Sequence, residues 1–575
     1  MVNSYSVPTE ASRILNDGIL NNPLHSDLPS SLRQLAKNVI FHGNDEPSIP
    51  MPWRFSEAVA ALKALEATLV NALVEKKYHV NTGAVHINTD RANLLFMAAL
   101  LTRVDPEGAN ALLPPGTDPF IKNKDYHGAL GSDHRRAATN LYRAKDGRYI
   151  QIHGGMNPDI TLTALGLPLE SDKKGVDATK MVADVVSLYN AGDLEELLVH
   201  KFKQAAAVAS TVQQFLDSDQ GKANAHVGLF QVHRITDPSQ RPGWWPEAPS
   251  FPSSPQRPLA GLKVVDLTWV IAAPSLTRSL AEYGASVMRV TAGHLCDYSA
   301  LHAELNWGKW NSELDLRIQE HREKLKALIL DADVVVVGYR PLVLEKYGFG
   351  KDAVLELIKQ SGRERGIVYA RVNCHGWNGP LANRPGWQQI SDTSTGIAMG
   401  FAEAMGMCDG EAVVSLFPTA DYCAGLSGAS GVLQALLERN ENGGSYVVDV
   451  ALNYFNVWLA RSCGQYPKGV WEELRKLHDF PTFAPEENLP GLSFRCIQML
   501  MRNAPGRIIR SDWLEDRQSS AIGVKVRTVK PIAEWEETAD GGQGVQSGFN
   551  VGTRGNGVDA AEWPDDLRVE IVTAT

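Results

Sequence analysis

Residues 257–311 constrain the fold of this chain more than any other segment. The apolar run LKVVDLTWV leads into the small-residue turn AAP, a stretch with helical apolar spacing follows, and a second apolar run, SVMRV, comes next. Strand, turn, helix and strand in this order open a βαβ unit. Three further strand candidates, DVVVVGY, GIVYARVN and YVVDVALN, alternate with helical stretches up to residue 465. The sequence therefore predicts an α/β fold.

Length and charge indicate an ordinary globular protein with more than one domain. The chain has 575 residues, of which 44% are hydrophobic and 21% charged, and its net charge is −10. No basic stripe runs along it, so nucleic acid and anionic membranes are poor partners. No apolar run approaches the ~18 residues that span a bilayer. The six cysteines form no CxxC pair, so we expect no metal site. The N-terminus lacks signal-peptide features, so we expect a protein of the reducing cytoplasm.

Changes in composition divide the chain into five predicted segments. The segment NLYRAKDGRYIQIHGG predicts a β-hairpin that turns at residues 145–147. Prolines are dense between residues 236 and 258, which predicts a linker. The predicted segments are an arm (1–54), a small domain (55–235), the linker (236–258), a large strand–helix domain (259–465) and a C-terminal extension (466–575).

Both halves of the chain resemble the class III CoA-transferases, the CaiB/BaiF family. The segment RPLAGLKVVDLTWVIAAP is similar to the family opening PLxGLxVLDLTxxxAGP, and NLYRAKDGRYIQIHGG is similar to the start of the family's small domain. In the family the strand–helix domain comes first, whereas here the matching segments stand in the opposite order. We interpret this order as descent from a tandem duplication in which each copy lost one domain. The resemblance implies a Rossmann-like large domain, a smaller α+β domain and an interlocked homodimer.

The family's catalytic aspartate follows an RPG-aromatic motif, RPGYDxxxQAxSG. Here the motif reads RPGWQQISDTSTG, so Gln388 stands at the aspartate position and Asp392 at the family's glutamine position. A carboxylate can attack an acyl-CoA thioester or transfer a proton, whereas a neutral amide does neither. Residues four apart share a helix face, so Asp392 is predicted to present a carboxylate about 6 Å, one turn, from the lost one. The alternative, that Asp392 only braces the helix, stays open.

Two histidines and a second aspartate are further candidates. His375 stands thirteen residues ahead of Gln388, and racemases of the family pair a histidine with the aspartate. A lone loop histidine is more often structural, and His153 is the weaker candidate of the two. Asp421, in PTADYCAGLSGA, matches a stretch of the family and is interpreted as structural.

The candidate substrate-binding residues combine retained and altered family positions. Arg340 in GYRP matches an arginine of the family, and Lys309 in NWGK is retained. Thr291, Ala292 and Trp307 replace polar or charged residues in the region where the family holds the phosphates and adenine of CoA. Charge-assisted bonds to phosphate are thereby lost, which predicts weak CoA binding. The tryptophans predicted to line a mainly apolar pocket are Trp269, Trp307, Trp377 and Trp387.

The sequence therefore predicts an enzyme of the class III CoA-transferase superfamily that acts on an acyl-CoA or a related carboxylic substrate. A CoA thioester is then a substrate, and no cofactor is bound tightly. Transferase, racemase and dehydratase chemistry are not separated by the sequence. One alternative keeps the fold without CoA, as a lyase, isomerase or cyclase on an apolar small molecule. A second alternative is a non-catalytic binding protein.

Overall fold

A computed structural model describes residues 5–108, 119–408, 410–537 and 544–574. Residues 1–4, 109–118, 409, 538–543 and 575, which belong to the predicted arm, small domain, large domain and C-terminal extension, lie outside this description. The described residues form a mixed α/β structure with one seven-stranded sheet and three three-stranded sheets.

The strands follow one another along the chain as β1 (Val39–His42), β2 (Val85–Asn88), β3 (Arg103–Val104), β4 (Leu141–Arg143), β5 (Tyr149–His153), β6 (Ala205–Val208), β7 (Phe230–Ile235), β8 (Lys263–Leu267), β9 (Ser286–Thr291), β10 (Lys309–Glu313), β11 (Val334–Val337), β12 (Val368–Asn373), β13 (Ser445–Ala451), β14 (Leu514–Ser519), β15 (Val524–Val529) and β16 (Ala533–Trp535).

The α-helices of the first half are α1 (Val7–Arg13), α2 (Leu32–Leu35), α3 (Phe55–Tyr78), α4 (Thr89–Ala92), α5 (Leu94–Leu101), α6 (Asp133–Arg136), α7 (Pro158–Ala164), α8 (Gly175–Val186), α9 (Ala191–Glu196), α10 (Val212–Asp217) and α11 (Asp219–Ala223). Those of the second half are α12 (Ala272–Glu282), α13 (His302–Leu305), α14 (Gln319–Asp331), α15 (Lys351–Gln360), α16 (Gln388–Ser394), α17 (Ile397–Ala404), α18 (Thr419–Asn442), α19 (Leu452–Trp458), α20 (Lys468–Leu477) and α21 (Leu489–Asn503). Short 3-10 or π-helical segments lie at Ile14–Leu20, Pro23–His25, Ala36–Asn38, Leu197–Lys201, Ser299–Leu301, Glu345–Tyr347, Leu459–Cys463 and Ser511–Trp513.

The seven-stranded sheet has the order β10-β9-β8-β11-β12-β13-β7. Six of its strands are parallel, and β7 pairs antiparallel with β13 at one edge. If the six parallel strands are numbered 1 to 6 along the chain, their order across the sheet is 3-2-1-4-5-6. The direction of winding therefore reverses between β8 and β11. The sequence predicted β8, β9, β11, β12 and β13, and the structure confirms these five strands. It did not predict β10 or β7.

Apolar strands explain why this sheet is covered on both faces. Strand β11 consists of four consecutive valines, all buried, as expected for a parallel strand packed on both sides. On one face, α12 and α18 lie so close that a Cβ on Gly425 would be 1.9 Å from the Oγ of Ser275. On the other face, α14 and α15 contribute buried residues such as Leu325 and Val354.

A small sheet of order β4-β5-β6 has its own apolar core, which α8 and α9 complete. Strands β4 and β5 pair antiparallel, with Leu141 opposite Gln151, so the predicted hairpin is confirmed. Helix α3 and strand β7, both inside the predicted small domain, instead join the core and sheet of the large one. Strand β14 pairs with β15, β15 pairs with β3, and β16 pairs with β2, so the C-terminal segment adds to sheets begun earlier. The five segment boundaries stay a prediction.

A buried network of charges ties α3 to α12. Lys63 Nζ lies 2.6 Å from Glu66 Oε2 and 3.0 Å from Glu282 Oε1. Glu282 also faces Arg278 at 3.7 Å, and Arg278 Nε lies 2.9 Å from Glu304 Oε1. Each charge of this network has a partner of opposite sign, which is the condition under which charges are tolerated in a core.

Among the described residues, no helix is both long enough and apolar enough to cross a membrane.

Candidate active site

The candidate site lies beyond the carboxyl ends of the parallel strands, where the winding reverses. The loop after β8 (residues 268–271) and the loop after β11 (residues 338–341) approach each other there. In open α/β sheets this switch point is the usual position of a ligand crevice, because the two loops diverge to opposite faces.

Two adjoining cavities occupy this position. The first, about 80 Å³, contains Arg340 and Arg384 in its wall and is called here the arginine cavity. The second, about 330 Å³, is called the apolar cavity. Its apolar wall includes Ala99, Leu100, Leu130, Leu301, Leu489 and Pro490. In the described part of the chain, four residues are common to both walls, namely Val270, Ile271, Trp387 and Asp421.

Backbone strain marks the turn between β8 and α12. Val270 has a φ of 63°, in the left-handed region that β-branched residues rarely adopt. Such strain persists only where the surrounding fold imposes it, and it clusters at ligand sites. Here it places Val270 and Ile271 at the junction of the two cavities.

Aromatic rings form the wall that separates the cavities from the small sheet. The indole of Trp387 stacks on the imidazole of His153, with centroids 4.9 Å apart and planes 5° apart. Trp269 packs against Tyr339 at 5.2 Å and faces Trp387 at 6.3 Å. Burial lowers the pKa of His153 to about 3, so this ring is neutral near pH 7. The small sheet thus contributes a neutral, planar surface to the apolar cavity.

The RPG-aromatic motif leads directly into α16, and its helical geometry brings Gln388 and Asp392 together. Gln388 Nε2 donates to Asp392 Oδ2 over 2.9 Å. Asp392 also accepts from Asn456 Nδ2 at 3.0 Å and from the backbone N–H of Ser415 at 3.2 Å. Burial raises the pKa of Asp392, against the lowering effect of these hydrogen bonds. Gln388 lines the apolar cavity, whereas Asp392 lies behind it and outside the walls of both cavities.

Two acceptors fix the orientation of the Gln388 amide. Its Nε2 donates to Asp392 and also to the carbonyl oxygen of Phe417 at 3.0 Å. Reversing the amide would place Oε1 against two acceptors, so the NH₂ group must face them. The Oε1 atom is buried and has no hydrogen-bond partner among the described residues. Asp392 therefore fixes the orientation of the Gln388 amide, whose Oε1 is left as an unused hydrogen-bond acceptor beside the apolar cavity.

Among the residues that the structure describes, Asp421 is the one carboxyl group in the walls of these two cavities. It lies in the first turn of α18, and no hydrogen bond or ion pair to its carboxylate is found in the described part of the chain. Burial, and then the charge of Asp392, raise the pKa of Asp421 to about 8. At neutral pH the cavities therefore meet at a carboxylic acid that is largely protonated.

The predicted substrate-binding residues fall into two groups. Arg340 lines the arginine cavity, with Nη1 donating to the carbonyl oxygen of Lys203, and Trp269 and Trp387 line it as well. Lys309 is fully buried, with its Nζ 3.1 Å from Asp266 Oδ2. It does not reach either cavity.

Two of the predicted tryptophans lie away from the cavities. Trp307 is buried and stacks on Phe549 at 6.0 Å. Trp377 lies under the guanidinium of Arg371, 3.8 Å from its ring centroid, and its indole N–H donates to Val450. Their surroundings are those of residues that fill space in the core.

His375 also lies outside the two cavities. Its Nε2 is 3.3 Å from the carbonyl oxygen of Pro385, and it faces a separate recess beside Tyr454. Burial lowers the pKa of His375 to about 4, so the ring is neutral near pH 7. Its contacts are those of a histidine that supports the loop before the RPG motif.

Sequence reasoning underrated three residues of the cavity walls. Arg384, the first residue of the RPG motif, lines the arginine cavity and pairs with Glu195 at 2.8 Å. His153 and Asp421 were weighed but ranked low or as structural. The signal for Arg384 was its place in the motif. Asp421 stands about 150 residues beyond the β8 loop in the chain, so no local pattern shows that they meet.

Replacing Asp392 with Asn should lower stability and activity together. The Asn amide would bring an NH₂ group among donors from Gln388, Asn456 and Ser415, leaving a buried donor unsatisfied, which costs about 1–3 kcal/mol. Gln388 would lose the acceptor that orients it. Thermal unfolding and substrate turnover measured on one preparation test this expectation.

The matched control for this variant is Ser394→Ala on the same helix, which removes only a hydroxyl bonded to Ser391 within the helix. It should leave both readouts near those of the native chain. If Asp392→Asn lost activity at an unchanged melting temperature, Asp392 would act directly in the chemistry, as the sequence first indicated.

Among the described residues, no cluster of three or more histidine, cysteine or acidic side chains is arranged to hold a metal ion.

Comparisons with known proteins agree on one family. A sequence profile described as CoA-transferase family III matches residues 259–473. Acetyl-coenzyme A transferase nodX of Hypoxylon pulicicidum is 45% identical, over 99% of this chain and 95% of that protein. An acyl-CoA transferase of Gibberella moniliformis is 28% identical, over 92% of each chain.

Solved structures of lower coverage are also similar. The hypothetical protein Rv3272 of Mycobacterium tuberculosis is 29% identical, over 36% of this chain and 58% of that chain, with a TM-score of 0.31. A CAIB/BAIF family protein of Brucella suis is 20% identical, over 45% of this chain and 80% of that chain, with a TM-score of 0.32. Because the nodX relative matches along nearly its whole length at 45% identity, the chain belongs to CoA-transferase family III.

Proposed function

We propose that this protein moves CoA from one carboxylic acid to another, with acyl-CoA thioesters as its substrates. The observation that carries the proposal is the pair of adjoining cavities of different chemistry at the switch point of the parallel sheet. The names of the relatives, acetyl-coenzyme A transferase and acyl-CoA transferase, support the same reaction class.

The chemistry of each cavity indicates its occupant. The apolar cavity, at about 330 Å³, falls in the ~300–1,000 Å³ range of small-molecule sites and suits a hydrocarbon acyl chain. The arginine cavity, at about 80 Å³, exceeds several-fold the ~10–15 Å³ that one water needs. Guanidinium groups bind carboxylates through paired hydrogen bonds, so Arg340 and Arg384 favour a small carboxylate there.

We propose the following roles for the residues singled out from the sequence. Gln388 is a hydrogen-bond acceptor in the cavity wall, and Asp392 orients it. His375 supports the loop before the RPG motif. Arg340 binds the small carboxylate. Lys309, Trp307 and Trp377 act from behind the site by supporting its framework, whereas Trp269 and Trp387 contact the ligands.

The finer architecture is also proposed here. The strand order 3-2-1-4-5-6 supports a Rossmann-like large domain around β8–β13. An interlocked homodimer follows from the family resemblance, and light scattering of the purified chain measures its mass in solution. The segment boundaries and the cytoplasmic location stay predictions.

An exchange assay tests the proposed reaction. The full chain is incubated with acetyl-CoA and hexanoate, and the products are read by mass spectrometry. Hexanoyl-CoA and acetate should form, because hexanoate offers an apolar chain and acetate fits the smaller cavity. Succinate is the comparison acceptor, and its second charge should disfavour it in the apolar cavity, because the guanidinium of Arg136 in that wall already pairs with Asp133. Failure to form any new thioester with these acids would reject the proposal.

Affinity for CoA itself should be weak. Thr291 and Ala292, at the end of β9, supply no cationic group for the phosphates, and a missing charge-assisted contact costs roughly 1.5–3 kcal/mol. Because Trp307 is buried in the core, we count one lost contact, which weakens binding by about tenfold or more. Calorimetric titration with acetyl-CoA and with free CoA measures this, and a low-micromolar or tighter dissociation constant would contradict it.

A further inference from the structure

Asp421 occupies the place in this site that a proton-transferring group would need. It is one of four residues common to both cavity walls, and the other three, Val270, Ile271 and Trp387, carry no ionisable side chain. A carboxyl group without a protein partner keeps its proton-accepting and proton-donating atoms available to a ligand. We infer that Asp421 is the catalytic acid–base residue, moving one proton to and from the thioester sulfur while two acyl groups occupy the adjoining cavities.

The groups around Asp421 favour its neutral form. From α16 it faces the charge of Asp392, which is the largest electrostatic influence on it after burial, and these raise its pKa to about 8. From the end of β12 it faces the thiol of Cys374, and its helix neighbour is the phenol of Tyr422. Burial raises the pKa of both of these groups well above their ordinary values, so they stay neutral.

Of the arginines that the structure describes in the two cavity walls, none pairs with Asp421. In the arginine cavity, Arg340 donates from one nitrogen to the carbonyl oxygen of Lys203 and Arg384 pairs with Glu195. In the apolar cavity, Arg136 pairs with Asp133. The ring of His153, in the wall of the apolar cavity, is neutral near pH 7 because burial lowers its pKa. A protonated carboxyl group is a weak nucleophile but a competent proton donor, so these surroundings favour acid–base chemistry over covalent catalysis.

Two cavities that meet at one side chain allow two substrates to be bound at once. The inference therefore rests on the proposed function and deepens it, because the transfer then passes directly between the substrates. The absence of a carboxylate at position 388 fits this route, since Gln388 cannot form an acyl intermediate.

The step balances as follows. The acceptor carboxylate attacks the thioester carbonyl carbon, a C–O bond forms, and the C–S bond breaks with its electron pair passing to sulfur. Asp421 gives its proton to that sulfur, leaving an anhydride of the two acids, a free thiol and the Asp421 carboxylate. Asp421 then takes the proton back as the sulfur attacks the acceptor's carbonyl carbon, and the C–O bond to the donor acid breaks to release its carboxylate.

The test compares the native chain with Asp421→Asn, which keeps the size of the side chain but transfers no proton. Acetyl-CoA and hexanoate are the probes, and calorimetry with acetyl-CoA is measured alongside turnover. Turnover should fall by about 10²-fold or more, the usual scale for losing a general acid or base, at an unchanged dissociation constant. Native turnover should also decline above about pH 8, where Asp421 ionises, while the residual turnover of the variant should not.

Two further readouts separate this inference from its rivals. Initial rates at varied acetyl-CoA and hexanoate should give intersecting lines, and hydroxylamine treatment of the acetyl-CoA-loaded native chain should leave no hydroxamate on Asp421. Parallel lines in the initial-rate plots, together with a hydroxamate on Asp421, would show that Asp421 acts as a nucleophile and would overturn the inference.

The exposed control Asp352→Asn, with a side chain 90% exposed, should match the native chain. A native chain that exchanges CoA while Asp421→Asn exchanges equally well rejects the inference alone. A native chain that neither binds acetyl-CoA nor exchanges it rejects the proposed function and the inference together.

Discussion

Replacing Lys63 with Met is expected to lower the free energy of unfolding by about 3–5 kcal/mol, the cost of breaking a buried ion pair from one side. Lys63 lies between Glu66 and Glu282 with almost no solvent exposure, at 2.6 Å and 3.0 Å. Burial alone would lower the pKa of Lys63, but Glu282 and Glu66 raise it, so the ammonium form is the one that the fold stabilises. The Met side chain preserves the apolar length but leaves two carboxylates facing each other.

Urea unfolding followed by tryptophan fluorescence measures this effect. The matched control is Lys180→Met, since Lys180 forms an exposed pair with Asp184 of the kind that contributes about 0–1 kcal/mol. The double variant Lys63→Met/Glu66→Gln should recover part of the loss, because one uncompensated charge disappears. A single variant within 1 kcal/mol of the native chain would contradict this account of the network.

The strands that the sequence predicted are those with apolar runs. The four consecutive valines of strand β11 are typical of a strand that is buried on both faces. Strand β10 (KWNSE) shows no such run, yet it is mostly buried. Its polar groups are satisfied from far away, since the backbone N–H of Asn311 donates to Asp559 at 2.8 Å. Local pattern carries no information on such a partner.

Contacts between segments far apart in the chain limited the prediction of β7 and α3 in the same way. Strand β7 (FQVHRI) alternates apolar and polar residues, but its pairing with β13 joins residues 210 to 220 positions apart, with Phe230 opposite Val450. Helix α3 is rich in apolar residues, with charged residues such as Lys63 and Glu66 between them, and this composition does not indicate which elements cover it. Only the tertiary structure shows that it packs on α12 and α18.

For the site, the sequence pointed to the RPG motif and ranked Asp392 above Asp421, whereas in the structure Asp421 and not Asp392 lines the two cavities. The helical spacing of Gln388 and Asp392 was predicted and is present. Which of two aspartates faces a cavity depends on the path of α18 relative to the β8 turn. That path is set by close packing at Gly425 rather than by any motif around Asp421.

The free energy of unfolding should depend on the ionisation of Asp421, and this dependence can be measured without any substrate. Its pKa rises from an ordinary 3.8 to about 8 in the folded chain, so between these values the folded state holds a proton that the unfolded state has lost. Stability of the native chain therefore falls as pH rises through this window, with a limiting slope of about 1.4 kcal/mol per pH unit, and levels off above it. This contribution is fully present only below about pH 4.

Asp421→Asn should remove this dependence, because Asn is neutral at every pH. We expect the variant to be more stable than the native chain by at least ~2 kcal/mol near pH 8, with the difference shrinking steadily toward pH 4. Urea unfolding of both chains at intervals across this range gives the difference curve, in which the titration of all shared groups, such as His153 and His375, cancels. The same curve for Asp352→Asn, whose side chain is 90% exposed, is the control for the effect of an Asp-to-Asn change as such. Parallel curves for the native chain and Asp421→Asn would mean that Asp421 ionises as it does in water, and the proton-transfer role would lose its physical basis.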